Sequence, residues 1–171
     1  MANNSEKLMR NGYTIFSAQE SAIQNLIDEL ARRTQSKLVM VTDSAGDPIL
    51  HKGELEAKQK MALGALLAGD LAASQETAKV IGQYDSYQLI IREGVESNLF
   101  IAEAGKQLIL LCLIPASTPL GWSRLLVKEA SQQIASIVVT PEELIDSLDL
   151  GLNDDFLADK YGDSLSSIWN G

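Results

Sequence analysis

Residues 61–73, MALGALLAGDLAA, read as a helix that is apolar almost all the way round and carries two glycines in its interior. A helix that coats one side of a core has a polar opposite face, so this segment demands packing on two sides. At about 100° per residue, Gly64, Ala65, Ala68, Gly69 and Ala72 form a stripe of small residues, and Leu63, Leu66, Leu67 and Leu71 form a bulkier one. Two stripes imply two packing partners: the chain's own sheet and, in a chain of 171 residues, the same helix of a second copy. The segment is therefore expected to dimerise; the competing reading is the central helix of a larger monomeric core. Asp70 projects between Leu63 and Leu66, inside the bulky stripe, where an unpaired buried carboxylate is costly. It must reach solvent or a cation. Either the stripe opens to water there, or Asp70 lies on a groove that receives a partner.

The chain has the composition of a soluble globular protein, 46% hydrophobic and 22% charged, and suits one domain with appendages or at most two small domains. A lone cysteine, Cys112, excludes an intramolecular disulfide, and one cysteine with one histidine, His51, cannot supply an ordinary structural zinc site. Cys112 lies in the apolar run 108–114 and reads as a small buried hydrophobe. There is no phosphate-binding loop ending in Gly-Lys-Ser/Thr, no GxGxxG after a strand and no nucleophile elbow. His51 reads as a half-exposed sheet residue. The acid pairs Asp28-Glu29, Glu142-Glu143 and Asp154-Asp155 read as solvated charge, since adjacent carboxylates diverge on a helix. No catalytic, cofactor-binding or metal-ligating residue is assigned, and the chain is read as a non-enzyme without a cofactor.

The net charge of −9 is unevenly placed: residues 140–171 carry eight acids and one base, a net −7. This balance argues against nucleic acid or an anionic membrane as the main partner, because both require a basic footprint. The N-terminus lacks a signal-peptide apolar region and no stretch reaches membrane-span length, so a cytoplasmic location is expected.

Along the chain, residues 1–16 form a polar lead-in. Residues 17–34 carry Ile23, Leu26, Ile27, Leu30 and Ala31 at helical spacing, with Ser17 and Glu20 placed as a capping box. Residues 37–42 form a continuous apolar strand, the turn 43–48 follows, and 49–52 return as a hairpin arm. The long helix then runs from about 54 to 81 and stops at Gly82. Strands at 87–92, 98–102 and 107–114 are joined by short glycine-containing turns and should be antiparallel, the third lying centrally. The strand 87–92, with Tyr87, Leu89 and Ile91, is an edge whose exposed backbone needs a mate; pairing with its twin across a two-fold axis would supply one. Thr118-Pro119 opens a last helix to about 138, with Trp122, Leu125, Leu126, Ala130, Ile134 and Ile137 inward. The order α-ββ-α-βββ-α predicts an α+β domain over 17–139 with one five-stranded antiparallel sheet. Residues 140–171 read as an acidic tail with hydrophobic anchors, among them Phe156, Tyr161 and Trp169, that docks on its own body, a dimer mate or a partner.

The succession LVMVTDSAGDPIL at 38–50, the Ala/Leu-rich helix through AASQETAKVIG at 72–82, the three strands, and PLGWSRL at 119–125 resemble the Roadblock (dynein light chain-like) family. The similarity spans about residues 17–138 and is strongest to the bacterial branch that partners Ras-like small GTPases. It rests on apolar positions and glycines, not on catalytic residues. What the resemblance implies is a dimer with paired edge strands and side-by-side long helices, forming a platform that regulates or scaffolds a Ras-like GTPase by reshaping it. Leu63, Gly64, Leu66, Leu67, Ala68, Gly69, Asp70, Leu71, Tyr87, Leu89 and Ile91 are the expected dimer or partner surface. Two further readings stand beside it: a structural dimerisation adaptor in a larger assembly, and a small-molecule sensor domain holding a ligand between layers.

Overall fold

The computed structural model describes residues 8–10, 13–15, 17–82 and 89–138. Tyr87 and the tail anchors Phe156, Tyr161 and Trp169 lie outside the described residues. The chain divides into two units, one holding Ile15–Val138 and the other including Leu8–Thr14. In the polar lead-in, β1 (Leu8–Arg10) and β2 (Tyr13–Ile15) pair as a small two-stranded sheet.

The larger unit runs α1 (Ser17–Thr34), β3 (Leu38–Asp43), β4 (Pro48–Lys52), α2 (Ala57–Val80), β5 (Leu89–Arg92), β6 (Ser97–Ala104), β7 (Leu108–Pro115) and α3 (Leu120–Ile137). Its five strands form one antiparallel sheet in the order β4-β3-β7-β6-β5. The α-ββ-α-βββ-α pattern and the central place of the most apolar strand are as the sequence predicts. β3 is buried along its whole length and β7 nearly so, because helices cover both faces of the sheet.

Strand alternation divides the apolar residues between two layers. Leu38 and Met40 of β3, Leu99 and Ile101 of β6, and Ile109, Leu111 and Leu113 of β7 pack with Leu63, Leu67, Ala68 and Leu71 of α2. Val39, Val41, Phe100, Ala102, Leu110 and Cys112 occupy the alternate positions on the other face. There α1 contributes buried Ile23, Ile27 and Leu30, and α3 contributes Leu126, Val127, Ala130 and Ile134.

The helix starts differ in detail from the expectation. α2 begins at Ala57, where the Glu56 N–H donates to Gln59 Oε1 at 3.0 Å and so satisfies one of the free donors of the first turn. Pro119 occupies the N-cap position of α3 without a side-chain cap. The inward face of α3 is also rotated. It consists of Ser123, Leu126, Val127, Ala130, Ser131 and Ile134, whereas Trp122 is 47% and Leu125 64% exposed. The serines can be buried because their hydroxyls donate to the carbonyls of Pro119 (3.1 Å) and Lys128 (2.9 Å), so neither hydroxyl is left unmatched.

Candidate functional site

The long helix α2 and the neighbouring edge strand β5 carry the residues that the sequence singles out, and the structure sorts them by side. Gly64, Leu67 and Leu71 are buried in the chain's own core, with Leu63 and Ala68 partly buried beside them. Leu66 is 70% exposed, and Ala62, Ala65, Gly69, Ala72 and Ala73 are exposed with it. The inward face therefore takes members of both expected stripes. The outward face is a band of small residues flanked by Leu66 and Met61, which is 63% exposed.

The glycines serve different surroundings. Gly64 packs against Gly46 in the turn between β3 and β4, while an added Cβ at Gly69 would meet nothing within 4 Å. Gly46 has φ +94°, a conformation that glycine adopts at little cost. The turn is held by Asp43, whose carboxylate accepts the Asp47 N–H at 2.8 Å.

Three polar contacts tie α2 to the sheet from one edge to the other. Lys60 Nζ lies 3.2 Å from His51 Nε2 on β4, and since an ammonium only donates, the neutral ring nitrogen accepts. Gln75 donates to Glu103 on β6. Arg92 of β5 donates through Nη2 to Asp70 Oδ1 at 2.6 Å. Of the two outcomes its position allows, solvent or a cation, Asp70 has a cation: its side chain is 22% exposed while that of Arg92 is 61% exposed.

β5 is an edge strand that ends the sheet opposite β4. The β4 edge begins with Pro48 and carries a register irregularity against Val41 and Thr42, both of which discourage further pairing. The Leu89–Arg92 edge has neither device. Leu89 and Ile91 are half-buried and stand opposite Ala102 and Phe100, on the α1 and α3 side. Ile90 packs with the α2 core instead, and Arg92 shares its face. Ile90 and Arg92, which sequence reasoning missed, are therefore the β5 residues that meet α2. The period-two alternation of strands was the signal available for them.

Reactive groups do not converge here. Cys112 is fully buried and burial raises its thiol pKa far above the ordinary value. The His51 pKa is lowered, first by desolvation and then by the charge of Lys60. Among the described residues no group of three or more His, Cys, Asp or Glu could hold a metal ion, and no helix is long and apolar enough to cross a membrane. The arrangement offers a non-covalent surface: a small-residue helix face beside a strand edge that no further strand pairs with among the described residues.

No protein-family model matches the chain, and no curated protein matches it. Solved structures do. The gliding protein MglB of Thermus thermophilus is 26% identical over 76% of this chain and 98% of its own, with a TM-score of 0.68. MglB of Myxococcus xanthus is 28% identical over 68% of this chain and 94% of its own, at TM-score 0.64. A Roadblock/LC7 domain from Streptomyces avermitilis, 15% identical over 66% of this chain and 94% of its own, shares the fold at TM-score 0.60.

Proposed function

We propose that this chain, which has the Roadblock fold with MglB proteins among its structural neighbours, works as a two-fold dimer that regulates or scaffolds a Ras-like small GTPase. The observation that carries the reading is the outward band Ala62, Ala65, Leu66, Gly69, Ala72 and Ala73 of α2, set beside the β5 edge, which is unpaired on its outer side among the described residues, and joined to it by Asp70 and Arg92. Small residues let two helices approach closely, and pairing β5 with its twin removes an exposed row of backbone donors and acceptors. The GTPase is supplied by the Roadblock resemblance, not by a catalytic residue of this chain. The dimer acts by reshaping the GTPase. The acidic segment 140–171, anchored by Phe156, Tyr161 and Trp169, adds affinity or selectivity for that partner.

Light scattering is expected to give a dimer at micromolar concentration, burying at least about 1,000 Å². Adding the chain to a cognate Ras-like GTPase should change its rate of GTP hydrolysis or nucleotide exchange, while the chain alone hydrolyses none. A monomer, or a chain that hydrolyses GTP by itself, overturns the reading.

A further inference from the structure

The exposed residues of α2 that carry charge lie near its two ends: Lys58 in the first turn, and Glu76 with Lys79 in the last two. Between them Ala62, Ala65, Gly69 and Ala72 are exposed. Positions 58, 62, 65, 69, 72 and 76 alternate steps of four and three residues, so they run in one line along the outward side of the helix. Gly69 stands in this line with open space where a Cβ would be. An interior glycine weakens a helix relative to alanine, and no contact among the described residues calls for one there.

We infer that two copies lay their α2 helices antiparallel about residue 67, with Lys58 of each against Glu76 of the other. The inference rests on the dimer proposed above and adds its register. About that centre Ala62 meets Ala72 of the second copy, Ala65 meets Gly69, and Met61, which is 63% exposed, meets Ala73, so large residues face small ones and the backbones can close up. Glu76 also pairs with Lys79 along its own helix, both side chains being more than half exposed; in the same register Lys79 falls opposite position 55, between the exposed Glu54 and Glu56 of the second copy. Charge selects the arrangement. A parallel pair sets Lys58 against Lys58 and Glu76 against Glu76. An antiparallel pair centred on Gly69 sets Lys58 against Val80 and Glu76 against Ala62, which leaves both charges facing apolar side chains. The face is complementary to itself about one centre, which selects a second copy as its occupant, and the two-fold makes each pairing twice. Lys58 and Glu76 thereby set orientation and choice of partner more than affinity.

The test measures self-association of the full chain by light scattering over a concentration series at low salt. Lys58→Glu alone and Glu76→Lys alone should each weaken the dimer about tenfold or more, since each sets two like-charge contacts in it. Mixing the two variants should restore association as a heterodimer, and both substitutions in one chain should restore the homodimer. Raised salt should narrow the differences, and unfolding midpoints below the association range should stay close to that of the unsubstituted chain, because both positions are exposed. Single variants that dimerise as well as the unsubstituted chain overturn the register and leave the dimer standing, and so does a loss that mixing does not rescue. An unsubstituted chain that stays monomeric throughout the series overturns the dimer itself and the register with it.

Discussion

Gly64 of α2 and Gly46 of the β3–β4 turn meet backbone to backbone: a Cβ at Gly46 would stand 2.5 Å from the Gly64 carbonyl oxygen. Neither backbone can move aside like the end of a flexible side chain. Gly64→Ala should therefore destabilise the fold by roughly 1–3 kcal/mol through overpacking, outweighing a helix-propensity gain of at most about 1 kcal/mol. Gly69→Ala, at an open position in the same helix, should stabilise the chain by about 0.5–1 kcal/mol. Denaturant unfolding at a concentration below self-association measures both. Gly69→Leu should leave folding intact and weaken dimerisation, since Gly69 lies on the outward band; unchanged light scattering for that variant would place the band outside the dimer contact.

Asp70 and Arg92 supply a second test. The pair is partly exposed, so its net contribution to folding is small, about 0–1 kcal/mol. Asp70→Arg should shift the unfolding midpoint little yet weaken self-association and the effect on a GTPase, because it sets two like charges where α2 meets the open edge. Adding Arg92→Asp should restore much of the loss. A double variant no better than the single one would show that the pairing does not act through charge.

His51 predicts a pH dependence. Desolvation and then Lys60 disfavour the imidazolium in the folded chain, so the folded state binds the proton less readily than the unfolded state. The associated stability is complete above the ordinary value of 6.5 and is lost as pH falls below it toward the depressed folded value. As the sole histidine, His51 gives one set of imidazole resonances. Its midpoint should lie below 6.5 and move upward in Lys60→Gln. A midpoint at or above the ordinary value would contradict the burial and charge acting on the ring.

Cys112 should be silent in the native state. Its thiol is fully buried between β3 and β6, and burial raises its pKa, so thiolate is scarce at neutral pH. A thiol reagent should label it only at the rate of unfolding and rapidly in denaturant. Fast native labelling would mean that the sheet opens at its centre.

Much of the scaffold was legible because it rests on local periodicity. The continuous apolar runs 38–42 and 108–114 announced strands covered on both faces, and α1 follows its spacing from Ser17 to Thr34. The short glycine turns required antiparallel neighbours, and the two-sided apolar character of residues 61–73 required both a core contact and an outward face. The polar demand of Asp70 was equally plain, since a carboxylate in an apolar stripe must reach solvent or a cation wherever the chain leads.

Tertiary structure decided whatever depended on residues distant in sequence. Trp122, Leu125, Leu126 and Val127 fit more than one inward face of α3, because adjacent apolar residues make a period of 3.6 ambiguous. Packing against β6 and α1 selected the face with Leu126 and Val127, and hydroxyl bonds to Pro119 and Lys128 made its serines tolerable. Gly64 was assigned to a small stripe by its helix alone, but its neighbour is Gly46 across a turn. Asp70 needed solvent or a cation, and only the register that brings Arg92 onto the α2 face decided for a cation and named which one. Helical and strand periods are properties of a local segment, whereas the partner of a side chain is a property of the sheet order and of the helix laid across it.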